Sequence, residues 1–194
     1  YKVQKYEDKI LLNEAKLFSE WYAPTKINKF QIRKFKKGYE NEVKKLLSKL
    51  NLKNDTFVHR DFHVSNLMYV KNNIAVIDSQ DALIGNKTYD LASLVDDVRF
   101  ETSNKLKNKI LNNYFKKLKK TEINKFVNDF EILSVLRNLK IIGIFTRLAL
   151  RDNKKKYVKM IPYAWEMINC RMRKNREFNT LKLILKHNFP KFVK

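Results

Sequence analysis

The sequence predicts a mainly helical (α+β) domain with one small β-hairpin, and three observations carry that expectation. Long stretches place apolar residues at helical spacing. Two short apolar runs, LMYV at 67–70 and IAVI at 74–77, flank a polar turn at Lys71, Asn72 and Asn73. No repeat or low-complexity linker divides the 194 residues, a length that suits one domain.

Residues 3–21 carry Ile10, Leu11, Leu17, Phe18 and Trp21 at helical spacing, which predicts a first helix ending near Pro24. A second helix is expected over 28–50, burying Phe30, Phe35, Val43, Leu46, Leu47 and Leu50, with Gly38 as a point of interruption. A short apolar strand then enters an irregular loop, the hairpin follows, and a further loop runs through Gly85. Thr88 is placed to cap a helix over 89–99, its side-chain oxygen satisfying free amides at the start. Beyond Thr102 the pattern is helical throughout, over 104–118, 122–150, 155–175 and 178–187. Trp21, Tyr22 and Trp165 read as packing aromatics.

The chemistry concentrates in residues 57–99, FVHRDFHVSNLMYVKNNIAVIDSQDALIGNKTYDLASLVDDVR. Phosphoryl transfer to an alcohol needs a base that positions the hydroxyl and Mg²⁺ that offsets charge on the phosphate oxygens. Mg²⁺ keeps several waters, so one or two protein oxygens beside the phosphates suffice. An Asp followed five residues later by Asn, on an irregular loop after a strand, lets Asp61 face an acceptor and Asn66 face a metal. The return strand of the hairpin brings Asp78 back beside that loop as a second metal ligand. Taken singly, each residue has a plainer reading. Asp61 and Asn66 are ordinary turn residues, Asp78 terminates a strand, and Asp90 in a first helical turn favours the helix dipole. His59 and His63 stand at the i and i+4 spacing of a zinc pair, but that geometry needs a helix and further N or S ligands.

The ordered set HRDFHVSN, IDSQDA and YDLASL resembles the C-terminal lobe of the aminoglycoside phosphotransferase and choline kinase branch of the protein-kinase-like fold. RNLKIIGIFTRLALRDNKKKYVKMIP at 137–162 and LFSEWY at 17–22 are similar to bacterial anomeric N-acetylmuramate/N-acetylglucosamine kinases. The resemblance implies an ATP- and Mg²⁺-dependent kinase that phosphorylates an amino sugar at its anomeric hydroxyl during cell-wall sugar recycling. It implies Asp61 as catalytic base, Asn66 and Asp78 as metal ligands, and His59 and Asp90 as supports of the catalytic loop. Asp81, Arg147 and Asp152 are further candidates for contact with substrate or with the site's margin; an Arg–Asp pair holding the helix end is the alternative for the last stretch. One departure is Ser79, at a position where the family carries an aromatic or apolar residue.

The resemblance also implies what such a kinase holds ahead of this lobe: a sheet-rich nucleotide lobe with a glycine-rich loop and a strand Lys. The chain has only Gly38, Gly85 and Gly143 and does not begin with Met. The expectation is therefore one phosphotransferase C-lobe over 1–194 with the nucleotide lobe absent, a fragment of weak or no activity by itself. Two alternatives stay open: a kinase of the same branch acting on an aminoglycoside or choline-like acceptor, and a non-catalytic interaction module.

Charge argues in the same direction. With 42 Lys+Arg against 20 Asp+Glu the chain carries +22, which invites a nucleic-acid reading. Residues 56–101, however, hold seven acids and four bases, a net of −3, so the excess of +25 lies elsewhere, spread over every helix. A local acidic centre suits a Mg²⁺ site, and no specific nucleic-acid partner is expected beyond unspecific attraction to polyanions. The single Cys170 excludes an internal disulfide framework and fits a reducing cytoplasm. No apolar stretch approaches the ~20 residues of a membrane span, and the start shows no secretory segment.

Overall fold

A computed structural model describes residues 3–173 and 175–193. In chain order the elements are α1 (Asp8–Leu17), α2 (Lys29–Leu47), β1 (Asn54–Val58), β2 (Leu67–Val70), β3 (Asn73–Val76), β4 (Leu83–Asn86), α3 (Thr88–Val95), α4 (Asn104–Phe115), α5 (Lys120–Arg151), α6 (Ile161–Met172) and α7 (Asn179–Asn188). The protein is mostly helical, with two small antiparallel sheets where one hairpin was expected. Two compact units divide it: one formed by the N-terminal residues through Glu7 with Leu50–Leu133, the other by Asp8–Lys49 with Ser134–Lys194. Helix α5 contributes to the first unit up to Leu133 and to the second from Ser134. Among the described residues no helix is long and apolar enough to cross a membrane.

In the first unit β1 pairs antiparallel with β4, Phe57 opposite Ile84 and Val58 opposite Leu83. β4 lies where a loop through Gly85 was expected; its partner is 27 positions away, beyond the reach of local pattern. Residues 3–7 are not the start of a helix either. They run extended beside β4, with Tyr6 N–H donating to the Ile84 carbonyl at 2.7 Å and Ile84 N–H to the Gln4 carbonyl at 2.8 Å. The Tyr6 ring meets Tyr89 edge-on at 5.0 Å. These contacts outweigh the helical spacing, so α1 begins only at Asp8.

β2 and β3 form the expected hairpin with a tighter turn. Leu67 faces Val76 and Val70 faces Asn73, leaving a two-residue loop at Lys71 and Asn72. Both loop residues have positive φ, 45° and 65°, the left-handed pair whose twist matches that of hairpin strands and which Asn tolerates well. α3 starts at Thr88, which is inside the helix and does not cap it; Lys87 stands at the N-cap with no side-chain cap bond. Asn86 Oδ1 accepts from Thr88 N–H at 3.0 Å and from its hydroxyl at 2.9 Å. The helix ends at Val95, short of Arg99, because Asp96 and Asp97 are fully buried in other bonds. Asp96 pairs with the buried Lys107 at 3.1 Å. Ala92, Val95, Phe126 and Phe130 form the core here, with Leu111, Tyr114 and Phe115 packed against them.

The second unit is organised around aromatic rings. α1 leads into a π-helical turn at Phe18–Tyr22 and a short 3-10 turn at Ala23–Thr25 containing Pro24. A Cβ at Gly143 of α5 would come within 2.6 Å of the Phe18 nitrogen and closer still to the Leu17 carbonyl, so only glycine allows α5 to approach this turn. Asn28 caps α2, its Oδ1 accepting from Phe30 N–H at 3.1 Å and Gln31 N–H at 2.9 Å. α2 passes through Gly38 without interruption. Phe35, Val43, Leu46 and Leu47 are buried as expected, whereas Phe30 is 96% exposed. Phe18 sits at the centre of the core, 5.3 to 5.6 Å from Tyr22, Tyr39, Trp165 and Phe189. The helix expected over 155–175 is instead a 3-10 stretch, Lys155–Met160, followed by α6. Pro162 in its first turn has no amide hydrogen to extend a preceding helix. Lys174 of that expected helix lies outside the described residues.

Candidate functional site

The sequence between β1 and β2 is held by bonds to its own backbone and to carboxylates of the first unit. β1 ends at Val58 and hands the chain to His59 and Arg60. The Asp90 carboxylate, in the first turn of α3, accepts from His59 N–H at 2.6 Å and from Arg60 N–H at 3.0 Å. One charged group thus fixes two successive amides, and hydrogen bonds to an ionised acceptor are the stronger kind. Arg60 adopts φ 71°, a left-handed conformation that costs a non-glycine residue about 1–3 kcal/mol and is held only by its surroundings. Its guanidinium donates to the Asp81 carbonyl at 3.0 Å and lies over the Tyr6 ring, 5.2 Å from its centroid.

From Asp61 the chain closes on itself. His63 N–H and Asn66 Nδ2 both donate to the Asp61 carbonyl, at 3.0 and 2.9 Å, and Asn66 N–H donates to the His63 carbonyl at 2.9 Å. Val64 N–H donates to Asp97, which is fully buried. With its Nδ2 committed, Asn66 presents Oδ1, which bonds to none of the described residues. The Asp61 carboxylate is likewise free of intramolecular bonds among the described residues.

Asp78 is tied to the same loop through the residue before it. Ile77 N–H donates to the Asn66 carbonyl at 3.1 Å, and the Ile77 carbonyl accepts from His59 Nε2 at 2.9 Å. A carbonyl only accepts, so the His59 ring carries its proton on Nε2. The peptide ahead of Asp78 is therefore gripped from both sides, by the residue two before Asp61 and by Asn66 itself. Asp78 has φ 72° and is solvent-exposed, with one carboxylate oxygen accepting from Gln80 Nε2 at 3.0 Å.

The remaining candidates are Asp81, Arg147 and Asp152, with Ser79 as the noted departure. Asp81 contributes its carbonyl to Arg60 while its side chain is exposed. Ser79 is also exposed, and its carbonyl accepts from Ala82 N–H in the turn that follows. Arg147 and Asp152 belong to the second unit. Asp152 follows the end of α5 and is held in a two-bond pair with Arg151, at 2.7 and 3.0 Å, which keeps its carboxyl below the usual range. His59 and His63 are separate groups: no cluster of three or more His, Cys, Asp or Glu suited to a metal occurs among the described residues.

Two anchors escaped the sequence reading. Asp97 was visible only as one acid among seven. Asp129, fully buried on α5, accepts from Asn51 N–H and Leu52 N–H at 2.8 Å each and from Asn86 Nδ2 at 2.8 Å. It thereby joins the approach to β1 to the end of β4. An Asp in the middle of a long helix was the available signal, since such a residue disfavours the helix interior unless bonded elsewhere.

A family model described as "Phosphotransferase enzyme family" matches residues 4–122. Four curated relatives that the chain matches carry the name N-acetylmuramate/N-acetylglucosamine kinase. The chain is 33% identical to that of Neisseria meningitidis over 183 residues, 91% of this chain and 54% of the relative. It is 29% identical to that of Pseudomonas aeruginosa over 190 residues, 93% and 55%. Against that of Caulobacter vibrioides it is 27% identical over 169 residues, 82% and 45%. The chain spans about half the length of the curated relatives it matches.

Proposed function

The chain belongs to the phosphotransferase enzyme family, and on that premise we propose that it is the C-terminal lobe of a kinase-like fold. It works in the transfer of the γ-phosphoryl group of ATP to a hydroxyl of an amino sugar, at the anomeric position. The relatives' names supply the acceptor class. The observation that carries the chemistry is the Asn66–Ile77 hydrogen bond, which puts two oxygen donors, Asn66 Oδ1 and the Asp78 carboxylate, on adjoining backbone.

That donor set fits a hard cation. One amide oxygen and one carboxylate, with no metal-binding cluster of His, Cys, Asp or Glu among the described residues, suit Mg²⁺, which completes its shell with waters and phosphate oxygens, and are poor for zinc. Asn66 and Asp78 would hold it, and when bound it would offset charge on the phosphate oxygens. The chain's own residues do the rest. Asp61, with no intramolecular donor to satisfy, accepts the proton of the acceptor hydroxyl as that oxygen bonds to the γ-phosphorus and the bond to the β-phosphate oxygen breaks. Asp90 and His59 hold the loop, and Asn66 binds the Asp61 carbonyl, so that the backbone carrying the Asp61 side chain keeps one position. A cytoplasmic setting, where ATP is available, accompanies this reading.

Asp61→Asn tests it. In a reconstituted enzyme that contains this chain, phosphorylation of N-acetylglucosamine should fall about 10²–10⁴-fold with the circular dichroism unchanged. Turnover close to wild type would remove Asp61 from its role. Asp78→Ala should separately abolish the electron paramagnetic resonance signature of Mn²⁺ bound with ATP.

A further inference from the structure

The second unit holds a cavity that the phosphotransferase reading does not use. A groove of about 440 Å³ runs between α2 and α7, lined by Lys34, Phe35 and Gly38 on one side and by Leu183, Ile184 and His187 on the other. Its volume falls within the roughly 300–1,000 Å³ typical of small-molecule sites. The floor is apolar, and two large apolar side chains stand open to water here: Leu183 in the lining, 70% exposed, and Phe30 one turn before Lys34 on α2, 96% exposed.

Gly38 is the telling residue. Glycine is among the poorest helix formers, and it sits inside a 19-residue helix that shows no break. A Cβ built on it would meet nothing within 4 Å, so no neighbour in the chain requires the missing side chain. The face of α2 at Gly38 is therefore open to the groove it lines.

The surroundings state the sign of the occupant. Residues 29–38 of α2 and the whole of α7 together carry seven Lys or Arg and no Asp or Glu. No salt bridge engages Lys34 or His187 among the described residues. The two acids further along α2, Glu40 and Glu42, are already paired with Lys16, Lys44 and Lys45. The lining itself holds Lys34, His187 and the amides Gln31 and Asn188 with no acid, so the trough is complementary to an apolar body with an anionic head. Its size decides between a small molecule and a peptide: about 440 Å³ lies within the range of small-molecule sites and is too little to hold a three-turn helix.

We propose that the α2–α7 groove binds a small anionic amphiphile, a single acyl-type chain ending in a carboxylate, with the chain over Phe35, Gly38 and Ile184 and the head between Lys34 and His187. The site is independent of the kinase assignment, and its test does not use activity. Isothermal titration of the protein with dodecanoate, kept below its micelle concentration, should show one saturable site. Dodecanol, which keeps the tail and lacks the charge, should bind at least tenfold more weakly. Gly38→Leu fills the groove with a better helix former and should weaken dodecanoate at least tenfold without lowering the unfolding temperature. Lys34→Glu should weaken it severalfold with the same fold. Unsaturable uptake, equal affinity for dodecanol, or wild-type affinity in both Gly38→Leu and Lys34→Glu would each overturn the proposal.

Discussion

The two units of this protein are held by different physics. In the first, the chain from the approach to β1 up to α3 is fixed by carboxylates: Asp90 grips His59 and Arg60, Asp97 grips Val64, and Asp129 grips Asn51, Leu52 and the Asn86 side chain. In the second, Phe18, Tyr22, Phe35, Tyr39, Trp165 and Phe189 form a continuous stack of rings, with few directional bonds. Hydrogen bonds to charged acceptors specify where an atom must be, whereas ring packing specifies mainly how much volume must be filled. The unit that carries Asp61, Asn66 and Asp78 is the one built from directional bonds.

Substitutions that keep shape while changing chemistry should separate the two regimes. Asp129→Asn is nearly isosteric, yet it turns an acceptor of several bonds into a group that itself donates. It leaves buried donors unsatisfied, and urea unfolding should show a loss of roughly 3 kcal/mol. A loss below about 1 kcal/mol would mean that the carboxylate network is dispensable. Phe189→Leu, which removes a ring and keeps an apolar filler in the aromatic stack, should cost less, about 1–2 kcal/mol by the same measurement. A larger penalty than for Asp129→Asn would reverse the comparison.

The smallest effect is expected at the one polar atom deepest in the aromatic region. Tyr39 Oη donates to the Ala15 carbonyl at 3.0 Å, and Tyr39→Phe should cost about 1 kcal/mol at neutral pH. Burial pushes this phenol well above its ordinary value of 10.0. The folded protein therefore holds the proton more tightly than the unfolded chain. The associated stability is fully present below the unfolded value and declines as pH rises above it. Between neutral pH and about pH 11, wild type should lose more stability than Tyr39→Phe in parallel unfolding curves; equal slopes would show that Tyr39 is not the group responsible.

Much of the layout of the candidate site was legible because its residues lie at short spacings. Asp61, Asn66 and Asp78 are five and twelve residues apart, and a local hairpin joins them. The bonds that position them were less so. Asp129 meets Asn51 and Leu52 across 78 and 77 residues and Asn86 across 43, and no periodicity reports a pairing at that range. Residues 3–7 and β4 failed for the same reason, since an extended segment of mixed composition becomes a strand only when its neighbour is known. Phe30 failed differently. It occupies a helical position that pattern assigns to the core, but the chain supplies nothing to cover it.

The β2–β3 ribbon has a colloidal consequence. It is two strands wide, neither outer edge is paired with another strand among the described residues, and Met68, Tyr69, Val70, Ile74 and Val76 are all exposed. Such an edge is a template for a second chain. What keeps copies apart is the net charge of +22, and that repulsion reaches only about 10 Å at 0.1 M salt and about 3 Å at 1 M. The protein is thus expected to disperse best in dilute buffer and to associate as salt is added, the opposite of a protein salted into solution.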